Sequence, residues 1–178
     1  MNILEKTKCY TIGHMQYISG QGWREHLKKE LGSIGIDVWT PYDKPMLCNF
    51  PENDETRKQL SRDMENGNYD LVQECMKRIR GQDLRLCDLA DFSVAHLYPE
   101  IASWGSGEEL TTMVRQKKPL FISIEGGKKK CPLWLLGMIP HKYIYDSVED
   151  IIEMIFNINS GKVPIDSGRW KLLQMRYR

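Results

Sequence analysis

The cysteines of this chain are nowhere paired for a task. The five cysteines, Cys9, Cys48, Cys75, Cys87 and Cys131, are odd in number, scattered, and nowhere spaced as CxxC, which argues against a disulfide framework and against a zinc site. Buried thiols are expected. No uncharged run approaches the ~18 residues of a membrane span. The opening MNILEKTKCY holds no apolar signal core, so a soluble, cytoplasmic protein with no membrane partner is expected. A surplus of charge is missing as well. Lys and Arg number 25 against 24 for Asp and Glu, so nothing pulls the chain toward a nucleic acid polymer or anionic lipid. A small molecule is the expected partner. Internal repeats and low-complexity segments are absent too.

What remains is a composition suited to one core. With 178 residues, 41% hydrophobic and 28% charged, the chain fits a single compact domain spanning 1–178. KCYTIG (8–13) is a β-prone run that ends in a polar, glycine-containing loop. WREHLKKELGSIG follows with Trp23, Leu27 and Leu31 on one helical face, stopped by Gly32 and Gly35. IDVWTP (36–41) is a second strand, which completes a βαβ unit. Residues 42–82 then read as a basic helical insert, with helices over about 52–65 and 69–80 that carry Arg57, Lys58, Arg62, Lys77, Arg78 and Arg80. This basic surface is either a solvated helical face or a lid whose cations meet an anionic substrate. FSVAHL (92–97), PLFISIE (119–125) and KYIYD (142–146) supply three more strands. Helices over about 106–117 and along VEDIIEMIFNI separate and close them. The tail, 161–178, docks on the core or on a neighbouring subunit.

Strands alternating with helices imply an α/β fold with a five-stranded parallel sheet covered on both faces. The flavodoxin-like (Rossmann-like) order 2-1-3-4-5 puts the switch point, where ligands collect, between strands one and three. Tyr10, Gly13 and His14 fall at or near the end of strand one. The turn leading to Glu109 follows strand three.

At these residues the sequence resembles the nucleoside 2-deoxyribosyltransferase family, including the related nucleoside 5'-monophosphate N-glycosidases. Tyr10-Thr-Ile-Gly13-His-Met resembles the family's Y-L-A-G-P-M. Asp83, eight residues before Asp91 and with Ala90 between, resembles D-x7-(A/N)-D. Gly105-Ser-Gly107-Glu-Glu109-Leu resembles G-T-x-x-E-L, the turn that carries the nucleophile. The resemblance implies an enzyme acting on a nucleoside or nucleotide and, in the transfer reaction, a free acceptor base. It implies a homo-oligomer whose subunits complete one another's sites, with no metal and no cofactor.

The chemistry needs such residues. Breaking an N-glycosidic bond develops positive charge at C1' of the sugar, and a carboxylate beneath it can bond to that carbon. The resemblance assigns this to Glu109, gives Asp83 the base and its protonation, and has Tyr10 orient Glu109 and the sugar. Placed in the first turn of a helix, Glu109 is expected to stay ionised. Ser106-x-x-Glu109 is equally a capping box; the switch-point position and the partners Tyr10 and Asp83 favour the nucleophile. Asp91, which opens strand three, suits a structural role.

The candidate binding residues are Gly13 and His14 after strand one, Ser19, Gly20 and Arg24 around the start of the first helix, and Ser103, Gly105, Ser106 and Gly107 after strand three. His14 and His96 also suit packed or turn positions. Tyr17, Trp23 and Trp104 could stack on a base or sugar. Deoxyribosyltransferases carry an aspartate six residues before the nucleophile, where this chain has Ser103. A hydroxyl can donate to a 5'-phosphate that an aspartate would repel, which favours a monophosphate N-glycosidase. Ser19, Gly20 and Gly22 would add backbone N–H groups. A nucleotide-binding sensor without turnover is the non-enzyme alternative.

Overall fold

Side-chain alternation along the strands divides the interior into two layers. The structure, a computed structural model, describes residues 2–15, 20–46, 52–166, 168–170 and 173. Its elements run β1 (Lys8–Ile12), α1 (Gly22–Gly32), β2 (Asp37–Trp39), α2 (Asp54–Glu65), α3 (Tyr69–Leu89), β3 (Phe92–Leu97), α4 (Trp104–Arg115), β4 (Leu120–Ile124), α5 (Leu133–Met138), β5 (Ile144–Tyr145) and α6 (Val148–Asn159). The strands form one parallel sheet in the order β2-β1-β3-β4-β5. That is the expected flavodoxin-like order.

Successive strand residues point to opposite faces. Cys9, Phe92, Val94 and Phe121 enter one layer with Leu27 and Leu31 of α1 and Ile151 and Ile155 of α6. Tyr10, Ile12, Ala95 and Ile122 enter the other with Leu86 of α3 and Leu110 and Met113 of α4. This parity sends Tyr10 toward α4. Among the described residues, no helix is long and apolar enough to cross a membrane. Cys9 and Cys87 are buried and Cys75 and Cys131 half-buried, while Cys48 lies outside the described residues.

The described part of the tail packs on the core. Trp170 (4% exposed) and Leu173 (3% exposed) join the α1/α6 layer, and the Trp170 ring lies 5.2 Å from that of Phe92. At the other end of the chain, the Leu4 N–H donates to Asn159 Oδ1 at 2.9 Å, which ties the segment before β1 to the end of α6.

Two helix boundaries and one short helix differ most from the sequence pattern. The helix expected to stop near Arg80 continues through Gly81 to Leu89, because Leu86 and Cys87 are fully buried beneath the sheet and tertiary burial outweighs a glycine's low propensity. Much of the 42–82 stretch is therefore the crossover helix from β2 to β3. The added element is α2, which packs on α3 through Leu60, Val72 and Ile79. The helix expected from Ser106 begins instead at Trp104, capped by Ser103. The six-residue α5 carries too little periodicity to be read from sequence.

Two glycines do local work. Gly35, at φ 79°, turns the chain from α1 into β2. Gly13 follows β1 where the chain passes so close to β3 that a Cβ would sit 2.7 Å from the His96 carbonyl oxygen. Gly81 is the contrasting case, with nothing within 4 Å of its Cβ position. Gly13→Ala should therefore lower stability by ~1–3 kcal/mol through overpacking, whereas Gly81→Ala should raise it by up to ~1 kcal/mol through helix propensity. Urea unfolding of both variants tests this, and equal effects would contradict it.

Candidate active site

A cavity of about 700 Å³ opens beside the carboxyl ends of β1 and β3, at the switch point of the sheet. Its chemistry begins with Tyr10, which is 0% exposed on β1. The Tyr10 hydroxyl donates to Glu109 Oε1 at 2.6 Å. Glu109, itself 8% exposed, reaches this position because α4 starts early. The Ser103 side chain accepts from the Ser106 N–H, so Ser106 is the third helical residue and Glu109 lies in the second turn.

That placement corrects two expectations. The Ser106–Glu109 capping box does not form, since Ser103 is the cap and Glu109 is turned inward to Tyr10. Nor does Glu109 lie in the first turn, where helix-end N–H groups would favour its ionised form. Burial instead pushes the Glu109 carboxyl up from 4.5 to about 8, helped by the negative charge of Asp83 and opposed by the Tyr10 hydrogen bond and Arg24. The Tyr10 phenol is also pushed up, by burial first and then by Glu109, so it remains a donor.

Asp83 lines the cavity from α3 with 16% of its side chain exposed. Its carboxyl is pushed up from 3.8 to about 6, by burial first and then by Glu52, against the pull of Lys44. Two interacting carboxyls titrate as a pair. With apparent values of about 6 and 8, the pair carries one proton across the neutral range.

The sequence pattern did not mark the groups beside Asp83. Lys44 Nζ lies 2.6 Å from Asp83 Oδ1 and 2.9 Å from Glu52 Oε2. Arg57 donates to the other oxygen of Glu52. Side-chain exposure is 3% at Lys44 and 1% at Glu52. Lys44 lies on the irregular connection after β2, and Glu52 immediately before α2, where no helical or strand period reports burial. A Lys and Glu eight residues apart gave no further signal.

The remaining candidates divide by location. Gly13, His14, Ser103, Gly105 and Ser106 line the same cavity as Asp83 and Glu109. Gly107 lines a second cavity of about 350 Å³, which His14, Ser103 and Ser106 also border. The His14 ring packs 4.4 Å from Tyr98, and burial and Arg24 lower its proton affinity. Arg24 (1% exposed) is not on the wall of either cavity. Its guanidinium donates to the carbonyls of Gly13, at 2.8 Å, and Gly20, so it latches the loop after β1 where a phosphate contact was expected. Ser19 and Tyr17 lie outside the described residues. Trp104 is 93% exposed at the cavity rim, and Trp23 packs half-buried against the core under Arg24. Asp91 sits at the amino end of β3, opposite the cavity, where it accepts the Lys8 N–H at 2.8 Å.

No protein-family model and no curated protein matches the chain. Among solved structures, it is similar to a conserved protein from Enterococcus faecalis V583, with 16% identity, 85% of this chain and 98% of that chain covered, and a TM-score of 0.54. A CMP N-glycosidase of Clostridium botulinum, BcmB, is similar at 12% identity over 84% of this chain and 98% of that one, with a TM-score of 0.47. At 16% identity and a TM-score of 0.54, the likeness to the Enterococcus protein is one of fold alone.

The raised Glu109 affinity for protons has a stability consequence. Between its ordinary value of 4.5 and about 8, the native state retains a proton that the unfolded chain has released, so stability falls as pH rises through that window. Glu109→Gln keeps an acceptor for Tyr10 and cannot ionise. In urea unfolding it should match the wild type near ~pH 5 and become the more stable protein by a few kcal/mol near ~pH 9. A gap that does not change with pH would contradict the raised value.

Proposed function

We propose that the protein cleaves the N-glycosidic bond of a nucleoside or nucleotide through a glycosyl intermediate on Glu109, which a second base then captures. The observation that carries this reading is the Tyr10–Glu109 hydrogen bond, 2.6 Å and buried, at the edge of a cavity whose wall also holds Asp83. The volume of about 700 Å³ falls within the range of small-ligand sites. The shared proton rests on Glu109, the carboxyl of higher proton affinity, and the reactive form is the minor one in which it has moved to Asp83 and Glu109 is ionised. Glu109 attacks C1' as the C1'–N bond breaks, and the Asp83 proton passes to the departing base. The acceptor base then attacks C1' and releases Glu109, and the proton it loses returns to Asp83. Tyr10 holds the carboxylate oxygen that does not attack.

A second reading, hydrolysis of a nucleoside 5'-monophosphate with water as the acceptor, is favoured by the wall facing Glu109. Arg57, Lys77 and Arg80 line the cavity from α2 and α3, and Ser103 places a hydroxyl at its edge. The pairs Lys77–Glu74 and Arg80–Glu108 are 39–61% exposed. Surface pairs of this kind are weak, so a phosphate can compete for their cations.

The test is a panel of deoxynucleosides and their monophosphates, incubated with and without an acceptor base and analysed for released base and new nucleoside. Glu109→Gln should lower turnover by roughly three orders of magnitude or more. For the wild type, kcat/KM should follow a bell with limbs near about 6 and 8, the values of the Asp83–Glu109 pair. Binding without base release from any substrate would leave the sensor alternative.

Ser103→Asp separates the two enzyme readings. Aspartate caps a helix as well as serine does, so folding should be unaffected. The new charge should weaken monophosphate binding by about tenfold or more while changing nucleoside binding little. Calorimetry with a matched pair of ligands reads the difference; a wild type that prefers the nucleoside, unchanged by the substitution, excludes the monophosphate reading.

A further inference from the structure

The chain buries an ammonium group beside its candidate acid. We propose that Lys44 is a positioning residue for Asp83, holding it as a carboxylate turned toward the cavity, with Glu52 locking the lysine in place and setting the strength of its hold. The inference rests on the proposed roles of Asp83 and Glu109 and adds the device that decides where their shared proton rests.

The geometry is a chain of four charges. Arg57 donates to Glu52, Glu52 accepts from Lys44 at 2.9 Å, and Lys44 lies 2.6 Å from Asp83. The Lys44 and Glu52 side chains are 3% and 1% exposed, so neither ion is solvated and each depends on its partners. Lys44, Glu52 and Arg57 together carry one net positive charge. The cluster is neutral only when Asp83 is ionised. The resting proton of the pair is therefore driven to Glu109, whose hydrogen bond runs to the neutral Tyr10 hydroxyl. Burial lowers the proton affinity of Lys44, but Asp83 and Glu52 together outweigh it and raise the affinity above its ordinary value, so the ammonium stays charged.

Other groups act on the pair from each packed element. Tyr10 faces it from β1, Arg24 from α1 and Arg57 from the start of α2, while Cys87 lies one turn along α3 itself. Tyr10 and Cys87 are pushed up and stay neutral, and Arg24 stays cationic. Removal of Lys44 and removal of Glu52 act on Asp83 with opposite sign, and Arg57 acts in the same sense as Lys44. Lys44 lowers the Asp83 proton affinity and Glu52 raises it.

That opposition supplies the test. Lys44→Met, Glu52→Gln and the double variant are compared with the wild type by two readouts: the pH profile of kcat/KM for base release, and the titration of the Asp83 side-chain carboxyl by carbon NMR. Lys44→Met should move the acidic limb and the Asp83 titration upward by about one pH unit or more. Glu52→Gln should move both downward. In the double variant the opposed shifts should largely cancel. A structural role alone would lower stability without opposed shifts. Where Lys44→Met does not fold, Glu52→Gln and the double variant carry the comparison. Titrations that stay within ~0.2 units, or single variants that shift in the same direction, overturn the proposal. Opposed Asp83 shifts in a protein that releases no base from any nucleoside uphold the role of Lys44 and reject the glycosidase reading instead.

Discussion

One hydrogen bond across the interior organises this molecule, the 2.6 Å contact from the Tyr10 hydroxyl to Glu109. It joins a central strand to the helix that follows the neighbouring strand, and it lies where water cannot compete. An unpartnered buried carboxyl would be costly, so α4 must present its second turn to β1. Ser103 makes that register possible by starting the helix two residues before Ser106. The alternation of β1, which sends Cys9 to one layer and Tyr10 to the other, makes it possible from the other side. The cavity, its carboxyl pair and the electrostatics of both follow from these two placements.

The charges around the cavity form two groups with different environments. Arg57, Glu52, Lys44 and Asp83 make a chain of contacts, and the cations in it oppose the effect of burial on Asp83. Glu109 has a neutral phenol against it and is pushed further up than Asp83. Two carboxyls of similar intrinsic affinity are thus separated by their surroundings.

Much of the fold was legible because parallel strands buried on both faces are continuous apolar runs, as in FSVAHL and PLFISIE, and because the switch-point rule needs only strand order. Tyr10, Asp83 and Glu109 were picked out by the resemblance of their motifs to a family's, and in the fold Tyr10 bonds Glu109 while Glu109 and Asp83 line one cavity. The start of α4 was misjudged because Ser103 and Ser106 are both competent caps, and only the path of the chain out of β3 selects between them. The continuation of α3 through Gly81 depended on burial of Leu86 and Cys87, which a break at glycine hides. Lys44 and Glu52 were invisible for a related reason. They meet Asp83 through the course of an irregular connection, and charged residues in such segments are usually solvated. Arg24 was misread because a cation beside glycines looks the same in sequence whether it awaits an anion or binds the glycines' own carbonyls.

The length of α3 has a mechanical consequence. At ~1.5 Å per residue, its 21 residues make a rod of about 30 Å, anchored at its buried Leu86–Cys87 end. Asp83 stands only ~4–5 Å along the axis from that anchor, whereas Val72, where α2 rests on the rod, stands ~21 Å away. If the helix tilts as a rigid body about the anchor, a displacement at the α2 contact reaches Asp83 reduced about fivefold. A 2 Å shift of the outer end would then move the carboxyl by roughly 0.4 Å. Short leverage near the fulcrum insulates Asp83 from disturbance at the surface, so the end of the helix pair where Leu60 meets Val72 can shift in position while Asp83 keeps its place on the cavity wall.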